Sequence, residues 1–124
     1  MPQYKHSPFD EELLEAMVQF NIDKPASEKF NLIDARIISL IHSYSHSDKT
    51  FFASNQYLAE KCFSTPSTIQ KSINKLHSYG LIDKRVACNN GKKQRVLSYN
   101  ENGAKNFKSN PTTALPRGAW NDEP

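Results

Sequence analysis

Long apolar runs are missing from this sequence. Its apolar stretches stop at two or three residues, as in Ile37-Ile38, Leu40-Ile41 and Phe51-Phe52-Ala53. A membrane-spanning helix needs about 20 consecutive apolar residues, so no segment reads as one. The stretch from Met1 to Glu12 lacks an apolar core, so no secretory signal is visible. Cysteine is scarce. Cys62 and Cys88 are too far apart for a CxxC metal or redox pair and too few for a disulfide scaffold. They read as small buried apolar residues of a chain in a reducing, cytoplasmic setting. Only four glycines occur, with no GKS or GKT phosphate loop and no GxSxG elbow. His42 and His46 stand four apart with Asp48 nearby, a spacing open to a metal ion. Residue 43 is serine, however, so HExxH is absent and no third ligand is evident. Ordinary histidines are the simpler reading. The carboxylates show no catalytic pairing. These absences speak against an enzyme, a metal site and a bound cofactor.

What is present is a chain of 124 residues, long enough for one core with or without tails. Apolar residues make up 37%, lean for a fully packed globule, so part of the chain is expected outside the core. The formal charge of +3 hides a split. Residues 1–48 hold four basic and eight acidic residues, whereas residues 49–108 hold eleven basic and three acidic. Such asymmetry fits a half that faces a polyanion, and on charge alone it fits a solvated surface equally well.

Ser7 as cap, Pro8 at the first helical position and Asp10 three residues after the cap predict a helix start. Phe9, Leu13, Met17 and Phe20 continue it at helical spacing. This helix must dock, either on its own domain or, over residues 8–22, on a second copy of the chain. Asp23 to Lys29 reads as a linker. Asn31 and Asp34 form a capping-box pattern ahead of an amphipathic helix with Ile33, Ile37, Leu40, Ile41 and Tyr44 on one face. Phe51 to Ala53 is a short strand candidate. Ser54 caps a helix from Asn55 to about Cys62. Thr65 caps the next, with Pro66 at its first position, Ile69, Ile73 and Leu76 inward, and Gly80 at its end. Leu81 to Ala87 and Gln94 to Tyr99 read as strands of a hairpin turned at Asn90-Gly91. Residues 101–124 lose periodicity and read as a flexible tail, with Trp120 in it as a lone candidate for a partner-binding motif.

Leu58-Ala59-Glu60-Lys61, the capped Ser/Thr-rich start at Thr65 to Thr68, and Leu76 followed by Gly80-Leu81-Ile82 together resemble the winged helix-turn-helix family. The likeness is greatest to the branch found in plasmid and phage replication initiators and small bacterial regulators. It implies a mainly α fold with a small β wing (α+β). The expected division is an N-terminal docking helix and linker over 1–29, a winged domain over 30–100, and a tail over 101–124. Two positions depart from the family. Phe63 stands where a small residue, frequently Gly, is common, and Ser64 where an apolar one is common. Phe63 is then expected to supply the turn's apolar plug from a shifted position.

The resemblance implies that the helix over 66–79 enters the major groove of duplex DNA. Its side chains outside the core are suited to that. Gln and Asn pair with adenine edges, Ser and Thr are versatile, and Lys reaches guanine or phosphate. Ser67, Thr68, Gln70, Lys71 and Asn74 are the candidates for base contact, since the start of such a helix lies nearest the bases. Ser54, Asn55, Thr65 and Lys75 are candidates for phosphate, joined by Lys84, Arg85, Lys92, Lys93 and Arg95 of the basic wing over 84–95. The expected function is sequence-specific DNA binding in replication initiation or transcriptional regulation, without enzymatic activity, cofactor or membrane. The alternative is a winged-helix module that binds protein through its first helix and tail.

Overall fold

The computed structural model describes residues 10–47 and 50–116. The first helix, α1 (Glu11–Asn21), is capped by Asp10, whose side chain accepts from the Leu13 N–H at 3.1 Å. The expected start at Ser7, Pro8 and Phe9 lies outside the described residues, and the capping role falls to Asp10. Glu11 and Glu12 occupy the first turn, where the helix dipole favours negative charge. Leu13, Ala16, Met17 and Phe20 are buried on one face, so α1 packs onto its own chain. The polar link to the next helix contains a 3-10 turn at Ala26–Glu28. The Asn21 side chain pins that link by bonding both the carbonyl and the N–H of Phe30, at 2.9 and 2.8 Å.

Helix α2 (Leu32–Ser45) opens on the predicted capping box, with Asn31 and Asp34 exchanging side-chain to backbone hydrogen bonds at 2.8 and 3.0 Å. Ile37, Ile38 and Ile41 are buried, while Ile33, Leu40 and Tyr44 are half-buried around them. Helix α3 (Asn55–Lys61) and helix α4 (Pro66–Ser78) start as expected, on Ser54 and on Thr65 with Pro66 inside the first turn. Both end in the same way. Gly80 follows α4 at φ +77°, and Leu81 N–H returns to the Leu76 carbonyl at 3.0 Å. After α3, Phe63 takes that place at φ +52°, and Ser64 N–H returns to the Ala59 carbonyl at 2.9 Å. This is the helix-ending motif that glycine serves best, because it has no Cβ to crowd the carbonyl. The expectation that Phe63 plugs the turn is overturned, for its ring points into solvent.

Strands β1 (Ile82–Asn89) and β2 (Lys92–Tyr99) form an antiparallel hairpin from Ile82↔Tyr99 to Asn89↔Lys92. Asn90 and Gly91 turn it at φ +55° and +81°, the positive angles that a two-residue turn needs. Phe51 to Ala53 makes a single bridge, Phe52↔Val96, rather than a strand. The bonds Leu97 N–H to Phe51 O and Ala53 N–H to Arg95 O lay it along the outer edge of β2. Cys62 is half-buried, whereas Cys88 is exposed on the wing, against the expectation that both are buried.

The largest departure follows Tyr99. Residues 101–109 of the predicted flexible tail are helix α5 (Glu101–Ser109), followed by a 3-10 turn at Pro111–Thr113. Asn100 caps it, and it buries Ala104 and Phe107. Phe107 joins Phe20, Phe30 and Tyr79 in an aromatic cluster with ring centroids 5.0–6.2 Å apart. Lys108 reaches Asp10 at 2.7 Å, and the Tyr99 hydroxyl donates to the same carboxylate at 3.0 Å, so both ends of the described chain are tied together. Arg117 and Trp120 lie outside the described residues. The fold is α+β, and the succession α2, α3, turn, α4, hairpin is that of a winged helix-turn-helix.

Candidate nucleic-acid interface

Helix α4 has two unlike faces. Ile69, Ser72, Ile73 and Leu76 are buried against α2, α3 and β1. The remaining side chains at its start face outward. Ser67, Lys71 and Asn74 are exposed, and Thr68 and Gln70 are half-exposed. All five candidate base-contacting residues therefore share the uncovered side. Thr65 holds the start in place. Its hydroxyl accepts from the Thr68 N–H at 3.3 Å and donates to the Thr68 hydroxyl at 3.0 Å.

Gln70 does not stand alone. Arg95 Nη2 donates to the Ala53 carbonyl at 2.9 Å and to Asn55 Oδ1 at 2.8 Å. Asn55 Nδ2 donates to Gln70 Oε1 at 2.8 Å, and Gln70 Nε2 donates to Asn74 Oδ1 at 2.9 Å. A guanidinium can only donate, so it dictates the orientation of every amide after it. Asn55 must turn its oxygen to Arg95 and its nitrogen to Gln70, and the order passes on to Asn74. Each amide keeps a further N–H and a further lone pair for a ligand. The wing thereby sets which atoms of Gln70 and Asn74 face outward. Arg95 is half-buried and burial pushes its pKa down. It and Asn55 brace the interface from inside, and neither is a freely extended phosphate ligand.

Lys75 is committed as well. Its ammonium lies 2.7 Å from Asp34 Oδ2 and 2.9 Å from the Lys29 carbonyl, over the ring of Phe30. Asp34 is fully buried and also accepts from the Ser72 hydroxyl. The capping-box aspartate of α2 thus anchors α4 at two points. The sequence marks Asp34 only as a cap, because the pairing spans about forty residues that nothing local connects.

The wing distributes its charges by strand alternation. Lys84, Lys93 and Arg95 share one face of the hairpin, whereas Arg85 and Lys92 lie on the other. Lys93 and Arg95 line a groove of about 440 Å³ with Ser54 and Asn55, between the start of α3 and β2. Ser54 and Lys84, Arg85, Lys92 and Lys93 are all exposed.

His42 and His46 stack at 4.1 Å, and His46 Nε2 lies 3.1 Å from Glu101. They join α2 to α5. Among the described residues no cluster of three His, Cys, Asp or Glu is placed to hold a metal ion, and Asp48 lies outside them. No helix among the described residues is long and apolar enough to cross a membrane.

Residues 31–82 match a protein family described as a helix-turn-helix domain, from the capping box of α2 to the first residue of β1. Neither the curated proteins nor the solved structures gave a match.

Proposed function

We propose that the helix-turn-helix domain of residues 31–82, completed by its wing, binds duplex DNA and reads its sequence. The observation that carries this reading is the face of α4. A helix whose buried side is fixed by the core and by Asp34 presents Ser67, Thr68, Gln70, Lys71 and Asn74 outward, with two of its amides pre-oriented. Donors and acceptors held in a set order on a helix are what base edges in the major groove require. Ser54, Thr65, Lys84, Arg85, Lys92 and Lys93 contact the phosphate backbone and set the register. Asn55, Lys75 and Arg95 act by positioning. Replication initiation or transcriptional control, of plasmid or phage type, is the setting that the sequence resemblance favours.

Selection of bound sites from randomised duplexes tests the division of labour. Gln70→Ala is expected to relax the preference at one or two base positions, with a loss of about 1–3 kcal/mol on the preferred site. Lys92→Ala is expected to weaken all duplexes alike. Identical effects of the two changes would refute the assignment.

A further inference from the structure

We infer that the protein associates with a second copy of itself, the outer face of α1 in one copy lying in an apolar groove between α2 and the α3–α4 turn of the other. Six large apolar side chains stand exposed among the described residues, and four of them make up these two surfaces.

The groove measures about 660 Å³ and is lined by Leu32, Ile33, Leu40, Cys62 and Phe63, with Arg36 and Lys61 adding two positive charges. Leu32 is 87% exposed and Phe63 97%. Phe63 also holds φ +52°, where an L-residue with a bulky side chain is strained. Glycine or asparagine would end α3 more comfortably. The strain and the exposed ring both go unrewarded in a single copy, and both are accounted for if the ring is covered by a partner.

Helix α1 has the matching shape and charge. Glu11, Glu15, Val18 and Ile22 fall within about 60° of one another at 100° per residue, on the side opposite the buried Leu13, Met17 and Phe20. Val18 is 62% exposed and Ile22 64%, and both glutamates are exposed. Two apolar anchors followed upstream by two carboxylates complement an apolar groove that carries two cations, in the manner of an amphipathic helix laid in a groove. The surfaces also adjoin. Ile22 follows Asn21, whose side chain holds the backbone of Phe30, two residues before Leu32. Their adjacency lets each copy give its α1 and offer its groove in the same interface, a reciprocal contact that closes as a two-fold dimer. No groove residue belongs to α4 or the wing, so the candidate DNA face stays open.

Sedimentation equilibrium of the full chain without DNA tests this independently of any DNA reading. A reversible monomer–dimer equilibrium is expected. Phe63→Gly should weaken it by about tenfold or more while the melting temperature holds or rises. Glu15→Lys and Lys61→Glu should each weaken it, and the two together in one chain should restore it. A monomer at every concentration, a dimer indifferent to Phe63→Gly, or a double charge reversal without rescue would each overturn the proposal.

Discussion

The Asp34 carboxylate serves three groups at once. It takes the Asn31 N–H, the Ser72 hydroxyl and the Lys75 ammonium, while the Asp34 N–H is satisfied by Asn31. Asp34→Ala leaves buried donors without acceptors, so a loss of about 2–4 kcal/mol is expected in a denaturant melt, with the pitch of α4 loosened. Asp10 works similarly at the other end of the core. Burial alone would raise its pKa, but hydrogen bonds from Lys108, the Leu13 N–H and the Tyr99 hydroxyl outweigh that and hold it below 3.8. A depressed carboxylate contributes stability above its unfolded pKa and loses it as pH falls through the folded value. The stability gap between the native protein and Asp10→Asn is therefore expected to be full at neutral pH. It should shrink as pH drops below about 4, read from melts across the acid range. A constant gap would show that the Asp10 cluster does not act through its charge.

At the scale of elements, the three helix starts at Asn31, Ser54 and Thr65 and the hairpin turn at Asn90-Gly91 are legible because each is set by neighbours within three residues. The start expected at Ser7 lies outside the described residues, and the described helix is capped by Asp10. The α5 helix was illegible for a physical reason. Gly103 reads as a breaker in a polar stretch, yet a Cβ there would lie 1.7 Å from the Gly80 carbonyl oxygen. The glycine is demanded by a close approach to the end of α4, and only the tertiary structure shows it. Gly103→Ala is accordingly expected to destabilise by about 2 kcal/mol or more, despite alanine's better helix propensity. A rise in melting temperature on that change would mean that α5 does not seat on Gly80. Arg95 and Lys75 have intramolecular partners that are illegible for the same reason. Basic residues beside a presumed interface look like phosphate ligands until their partners, Asn55 and Asp34, are seen.

At the scale of the molecule, the charge split acquires a geometry. The basic excess of residues 49–108 includes residues that brace, Lys75, Arg95 and Lys108, and residues that remain exposed, among them Lys71, Lys84, Arg85, Lys92 and Lys93. Half of the acidic residues of the start, Asp10, Glu11, Glu12 and Glu15, belong to α1 and its cap, and the inner face of α1 contributes to the core as α5 does. Helices α1 and α5 pack against each other, and the wing and the outer face of α4 are left exposed. The measurement that tests this account most directly is the equilibrium constant for a duplex as salt is varied. Each phosphate contact contributes a slope of about −0.9 in log K against log salt, so the four exposed wing cations predict a slope of about −3 to −4 per copy. Lys92→Ala should lower its magnitude by about one. A slope near zero, or no binding to any duplex at low salt, would contradict the account.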